Sequence, residues 1–279
     1  MIKITPQEYQ TYCKYVYDLC GITLAPSQAY LIETRLAPLI KKLNCNTFSE
    51  LYNKSKSDRL KKLEQEIIDA ITTNETYFFR DKSPFDLLQH KVIPDLIDKR
   101  TTRPGMPVTI KIWSAACSFG QEVYSIAITL KELLGNDIGN YRISIVGTDI
   151  SDDAIARSSY GLYNQFEVER GLPPGKLRLY FDQVDKGWRI KDELRAMVSF
   201  RKQNLFQSFA ALGRFDIILC RNVAIYFSQP DKIKLYEKIG NSLAPDGYLM
   251  IGAQESLTGI TKIFEPQRYM RSIFYQLKS

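Results

Sequence analysis

The sequence predicts an α/β protein: a small all-helical N-terminal domain, then a doubly wound, Rossmann-like sheet carrying a small antiparallel β insertion. Three observations predict it. Over residues 1–70 apolar side chains recur at helical spacing, with no strand-like run. From Val108 onward short apolar runs alternate with helical patterns, the order that builds a parallel sheet from βαβ units. Over residues 161–194 this order lapses into short aromatic stretches split by Pro173-Pro174-Gly175 and Asp185-Lys186-Gly187, a signature of an inserted hairpin. At 279 residues the chain is long enough to bury a core for both parts.

The helical part reads in order. Thr5, Pro6 and Glu8 make a helix start, with Thr5 as cap, proline at the first position and the acid where a capping box places it. Tyr9, Tyr12, Val16 and Leu19 follow at helical spacing and Gly21 closes the helix. Tyr30, Leu31, Leu36, Leu39 and Ile40 mark a second helix; a third covers Thr47 to Asn53 and a fourth runs from near Asp58 towards Ala70. Arg35, Lys41 and Lys42, with Lys54, Lys56, Arg59, Lys61 and Lys62, form either a solvated basic surface or a face for an acidic partner.

Residues 71–82 read as a linker, because Thr72, Thr73, Asn74 and Thr76 favour turns over helix interior. A flexible linker would not hold three adjacent large aromatics. Tyr77, Phe78 and Phe79 must therefore pack and place Asn74, Thr76 and Arg80 with some precision. Ser83 and Pro84 begin another helix, and Lys99 to Pro107 form a basic loop.

Val108 to Trp113 is the first buried strand. It breaks into the small residues Ser114 to Ser118, and a helix carrying Glu122 begins after Gly120, whose missing Cβ lets backbone approach a ligand. Arg142 to Gly147 is the second strand, ending at Asp149. An acid there either binds a ribose hydroxyl pair or caps the next helix, and Ser151 can cap it instead. Val198 to Asn204 gives the third strand, Phe215 to Cys220 the fourth, and Tyr248 to Gly252, after a Pro245-Asp246-Gly247 turn, the fifth. A closing antiparallel pair spans Ile263-Phe264 and Ser272 to Leu277. Glu122, Asp149, Asn204, Asn222 and Tyr226 thus fall at or just past strand ends, on one rim, where such sheets bind ligands.

Composition narrows the chemistry. The five cysteines include no Cys-x-x-Cys pair, so reduced buried thiols are expected. His90 is the only histidine, which excludes most zinc sites and any histidine-activated nucleophile; no metal is expected. The net charge of +7 favours an acidic partner without implying nucleic acid. No run reaches the length of a membrane span and the N-terminus has no signal-peptide pattern, so a cytoplasmic protein is expected. A nicotinamide cofactor would call for a fuller glycine fingerprint and a phosphate-binding loop for Gly-Lys-Ser/Thr. S-adenosyl-L-methionine has no phosphate and needs acids for ribose and amino group and polar partners for adenine, an inventory that Asp149, Glu122 and Asn204 satisfy.

Five segments in order, Thr73 to Arg80 (TNETYFFR), Trp113 to Ser125 (WSAACSFGQEVYS), Gly147 to Ile150 (GTDI), Asn204-Leu205 and Cys220 to Phe227 (CRNVAIYF), resemble the motifs of the bacterial chemotaxis receptor methyltransferases, the CheR family. The resemblance spans the whole chain. It implies methyl transfer from S-adenosyl-L-methionine to glutamate side chains on the helical cytoplasmic region of chemoreceptors, leaving S-adenosyl-L-homocysteine and a glutamyl methyl ester. It also implies that Asn74, Thr76, Arg80, Glu122, Asp149, Asn204, Leu205, Arg221 and Asn222 line the cofactor, and that Arg80 and Tyr226 stand beside the sulfonium and the incoming carboxylate. By the same resemblance Arg35 and Lys41 meet the receptor. A monomer that neither inserts in a membrane nor binds nucleic acid is expected.

The chemistry agrees with the scarcity of histidine, since a glutamate is already ionised at neutral pH and needs no general base. The planar fork of Arg80 can hold a carboxylate, either the substrate's or the cofactor's, and Tyr226 can act through its hydroxyl or its ring, or pack in the core. The sequence departs from the family pattern at Phe119, Gln121 and Val123, where threonine, glutamate and proline are common. The hairpin between Phe181 and Trp188 is short beside relatives that dock a receptor's C-terminal pentapeptide, so independence from that tether is expected. A nucleic-acid methyltransferase would show an Asn/Asp-Pro-Pro-Tyr or Pro-Cys motif, and neither is present. A cofactor-binding module that has lost transfer is disfavoured by the retained Arg80, Glu122, Asp149, Asn222 and Tyr226.

Overall fold

The computed structural model describes residues 2–101 and 107–278. Helix α1 (Pro6–Cys20) opens with the capping box, Thr5 accepting from the Glu8 N–H and Glu8 from the Thr5 N–H, and closes on Gly21 in the left-handed region. Helices α2 (Ala29–Lys42), α3 (Phe48–Ser57) and α4 (Lys62–Ile71) follow. The fourth begins later than the pattern indicates because the Asp58 carboxylate accepts from the Leu60 and Leu63 N–H groups and holds the intervening turn. Tyr12, Ile32, Leu36, Leu51 and Ile67 are fully buried between these helices and give them a core of their own.

Residues 72–82 contain no helix or strand. Then come α5 (Ser83–Leu87), a π-helical turn at Leu88–Val92 and α6 (Ile93–Arg100). Most of the expected basic loop, residues 102–106, lies outside the described residues. Arg100 has a structural use, bridging Asp216 and Asp246 at 2.8 and 2.9 Å.

The sheet is built in the expected alternation: β1 (Val108–Ala115), α7 (Gln121–Leu134), β2 (Tyr141–Asp149) and α8 (Asp152–Tyr160). An insertion follows, with β3 (Leu162–Tyr163), α9 (Gln165–Glu169), α10 (Lys176–Tyr180), β4 (Phe181–Val184), β5 (Gly187–Ile190) and α11 (Asp192–Arg195). The main sheet resumes with β6 (Val198–Lys202), β7 (Phe215–Cys220), α12 (Gln229–Ser242), β8 (Leu243–Ile251), β9 (Phe264–Tyr269) and β10 (Ser272–Leu277). Its seven strands run β6-β2-β1-β7-β8-β10-β9, and β3, β5 and β4 form a separate antiparallel sheet. The first five strands are parallel, and β10 pairs antiparallel with β8 and β9.

Two strand expectations are adjusted as well. The strand Val198 to Asn204 ends at Lys202, and the Pro245-Asp246-Gly247 turn is a bulge inside β8. The β7 partner jumps from Leu243 to Tyr248 across two residues, so the turn-forming residues loop out without ending the strand. The order reverses at β1, flanked by β2 on one side and β7 on the other, and such a switch point opens a crevice at the carboxyl ends of the strands. Helix α7 is buried along one side of that crevice. Among the described residues no helix is long and apolar enough to cross a membrane.

Candidate active site

A cleft with about 910 Å³ of empty space, part of it open to solvent, lies at that switch point. Its walls come from the ends of β1, β2, β6 and β7, from Thr72 to Thr76 with Arg80, and from Cys20 at the end of α1 and Ile22 after it. The helical part therefore contributes directly. It is held there by Asn204 Nδ2 donating to the Leu19 carbonyl (2.9 Å), the Thr23 N–H donating to the Tyr226 carbonyl (3.0 Å) and the Tyr17 hydroxyl donating to Asp231 (2.9 Å). The Phe206 ring covers Gly21 so closely that a Cβ there would lie 1.9 Å from it.

The β1–α7 turn is wound through left-handed positions at Ala116, Ser118 and Gly120, with φ of 57°, 50° and 89°. The Ser118 N–H donates to Asp149 Oδ2 (2.8 Å) and the Ser151 N–H to Oδ1 (3.0 Å), so one buried carboxylate ties two strand ends together. Burial raises the Asp149 pKa above the usual aspartate value despite those bonds. Ser151 caps α8 through its own hydroxyl, which receives the Ala154 N–H, so capping does not require Asp149. Gly120 has a different use from close approach to a ligand. Its Cβ would lie 2.8 Å from Ser158 and 3.3 Å from the Phe200 ring, so the glycine serves its positive φ and helix packing.

Across the cleft, Arg221 follows β7 with its side chain 1% exposed. It donates to Glu122 Oε2 (2.5 Å), to Asp81 Oδ2 (2.8 Å) and to the Arg80 carbonyl (2.8 Å). Glu122 also accepts from the Ser114 hydroxyl at 2.8 Å. This buried fork joins the sheet, α7 and the segment that carries Arg80. Asn222 sits beside it in the left-handed region (φ 57°), a conformation its short side chain tolerates.

The three aromatics of the TNETYFFR segment do pack. The Phe78 ring is fully buried edge-on against Tyr163 and Phe181 of the insertion, and the Phe79 N–H donates to Ser125 Oγ on α7. Tyr77 lies under the guanidinium groups of Arg80 and Arg170, at 5.7 and 4.7 Å from the ring centre. Arg170 also pairs with Glu75, and Arg80 donates to the Glu75 carbonyl at 2.7 Å.

The structure brings Asn74, Thr76, Arg80, Glu122, Asp149, Asn204, Leu205, Arg221, Asn222 and Tyr226 to this one cleft. It does not bring Arg35 or Lys41 there. The Arg35 guanidinium is occupied on the Ile71 carbonyl and Thr73 Oγ1, while Lys41 is exposed beside Ala37 and Cys45 in a different hollow. Asn204 is partly occupied too, since its oxygen accepts from the Phe206 N–H at 2.9 Å. That leaves one amide hydrogen and one lone pair for a base edge. Ser118, a lining residue whose buried hydroxyl makes no hydrogen bond among the described residues, escaped sequence reasoning, as did Glu255, which lies outside the lining.

The donor set suits an adenosyl amino acid. Asp149 retains two lone-pair directions for two hydroxyls, Ile22, Ile150, Leu205 and Phe227 give apolar surface, and Ser118, another lining residue, has a buried hydroxyl that makes no hydrogen bond among the described residues.

Comparison with known proteins agrees. The family description "CheR methyltransferase, all-alpha domain" matches residues 7–72, and "CheR methyltransferase, SAM binding domain" matches residues 74–272. The chain is 42% identical over 279 residues to chemotaxis protein methyltransferase 1 of Vibrio cholerae, covering 99% of both chains. It is 35% identical over 274 residues to a protein of the same description from Pseudomonas aeruginosa, covering 97% of this chain and 98% of that one. A chemotaxis protein methyltransferase of Borreliella burgdorferi is 36% identical over 260 residues, covering 92% and 91%. With both family descriptions matched end to end and the cleft at the switch point of the sheet, the chain belongs to the CheR methyltransferase family and is an S-adenosylmethionine-dependent methyltransferase.

Proposed function

We propose that the enzyme methylates glutamate side chains of methyl-accepting chemoreceptors, forming glutamyl methyl esters. One observation carries this reading: each carboxylate lining the cleft is held by the protein's own donors, with only Asp149 keeping lone pairs for ligand hydroxyls, and among the described residues no histidine lines it. Glu122 is paired with Arg221, Asp149 holds two backbone N–H groups, and Glu75 is paired with Arg170. An amine or hydroxyl substrate would need a base to take its proton, whereas a glutamate carboxylate arrives ionised and needs none.

When bound, S-adenosyl-L-methionine would supply an electrophilic methyl group, and a carboxylate acceptor would have no proton to lose. Asp149 and Glu122, with Asn74, Thr76, Asn204, Leu205 and Asn222, are assigned to binding it. The chain's part in the reaction is alignment and exclusion of water. The Arg80 fork is suited to a carboxylate, and its place is held by the packed aromatics and by Arg221 on its own carbonyl. Tyr226 lines the same cleft and orients the incoming group. Arg221 acts by holding Glu122 and the Arg80 segment together.

In this reading residues 1–70 face the receptor, residues 71–82 carry Arg80 to the cleft, and residues 83–279 bind cofactor, all acting in the cytoplasm. Lys41 is free to meet an acidic receptor helix, whereas Arg35 contributes by fixing the segment that follows α4. The two-residue turn that joins Val184 to Gly187 leaves a short hairpin, which supports independence from a receptor pentapeptide. The test is label transfer from methyl-labelled cofactor to a receptor cytoplasmic fragment and to the same fragment with its methylation-site glutamates changed to glutamine. Label confined to the glutamate form supports the proposal, and equal label on both overturns it.

A further inference from the structure

We propose that Glu255, in the loop after β8, is a positioning residue for the cofactor cleft and acts through the main chain of Asn222. The proposal rests on the assignment of the cleft to the cofactor and is independent of the receptor substrate.

Asn222 turns the chain at the end of β7 in the left-handed region, and its N–H there is beyond the reach of the strand ladder. Glu255 Oε2 accepts that N–H at 2.7 Å and also accepts the Gly252 N–H at 2.7 Å. One carboxylate oxygen thus joins the ends of β7 and β8 with two charge-assisted bonds. Gly252 makes room for it, since a Cβ there would lie 2.6 Å from Glu255 Oε2 and 2.9 Å from Asn222 Nδ2. The space is therefore matched to the carboxylate.

Glu255 does not line the cleft; it borders a neighbouring hollow with Asp81 and Arg271. Asn222 does line the cleft, and its side-chain amide makes no hydrogen bond among the described residues, so it is available to a ligand. Any influence of Glu255 on cofactor binding must pass through the residues it holds. The other oxygen, Oε1, is buried and accepts nothing among the described residues. Both bonds are made by Oε2, so reach to the two N–H groups matters more here than the second oxygen.

That ordering gives the test, with S-adenosyl-L-homocysteine binding to the full chain measured by calorimetry. Glu255→Asp keeps the charge but withdraws the oxygen by one methylene, and its Kd is expected to rise about tenfold. Glu255→Gln keeps an acceptor at full reach, and its Kd is expected to stay within about threefold of wild type. In an Asn222→Ala background, Glu255→Asp is expected to add less than about twofold, because both changes remove the same contact. A wild-type Kd for Glu255→Asp, an equal loss in Glu255→Gln, or an undiminished loss in the Asn222→Ala background would each overturn the proposal. Circular dichroism of each variant at the titration temperature confirms that folded protein is compared.

Discussion

Arg221, just after β7, and Glu122, on α7, meet at 2.5 Å in the wall of the cleft, with the Arg221 side chain almost wholly removed from water. The same guanidinium holds Asp81 and the Arg80 carbonyl, so the Arg80 segment is anchored to the sheet by a buried ion pair. Removing one partner of such a pair leaves a buried charge uncompensated. Arg221→Ala is expected to destabilise the fold by about 3 kcal/mol or more and to abolish cofactor-product binding. Chemical denaturation and calorimetry check the two effects, and Arg221→Lys, which loses the planar fork, should recover little of either.

Asp149 gives a pH dependence with a definite sign. Its folded-state pKa is raised by burial, so lowering the pH through that raised value protonates it in the fold before a solvated aspartate would titrate. Folding stability from this group rises as the pH falls through that window, because the unfavourable buried charge is removed. Cofactor affinity moves the other way, because protonation removes acceptor sites. Binding of S-adenosyl-L-homocysteine should weaken on acidification, starting above the usual aspartate range. In Asp149→Asn that acid limb should be absent and binding weak throughout.

The contact of Gly21 with Phe206 predicts coupling between the helical part and the sheet. Gly21→Ala places a methyl into the ring at a position with φ of 73°. A loss of about 1–3 kcal/mol is expected from overpacking. Adding Phe206→Ala should restore part of the lost stability, and thermal unfolding of the single and double variants reads this directly. No recovery would place the strain in the backbone instead.

Arg35 and Lys41 should separate. Arg35→Ala frees the Ile71 carbonyl and Thr73, and is expected to weaken cofactor-product binding a few-fold through the cleft wall that starts at Thr72. Lys41→Ala should leave that binding unchanged and raise the apparent KM for receptor. The Lys41 effect should shrink as salt is added, as exposed charge interactions do. Calorimetry and steady-state methylation at two ionic strengths check both.

Much of the fold was legible because strand ends in this sheet are chemically abrupt. The apolar runs to Trp113, Gly147 and Cys220 stop at small or polar residues, and those positions do converge on one cleft. The packed linker was legible from three adjacent aromatics. Side-chain direction was not. Asn204 reaches back to Leu19, a contact across 185 residues, and Glu255 reaches Asn222 across 33. Arg221 was readable as a cleft residue, but its position behind Glu122 depends on how two strands and α7 pack. Gly120 misled because a glycine at a strand-to-helix turn serves packing and ligand approach equally well, and only the neighbouring Ser158 and Phe200 distinguish them.

The most direct test of the central claim is tandem mass spectrometry of a chemoreceptor cytoplasmic fragment after incubation with enzyme and S-adenosyl-L-methionine. The account predicts a mass gain of one methylene on specific glutamate residues, removed by mild base as an ester is, and absent when Arg80→Ala enzyme is used. A base-stable methyl group, methylation of another residue type, or an unmodified receptor alongside intact cofactor binding would contradict it.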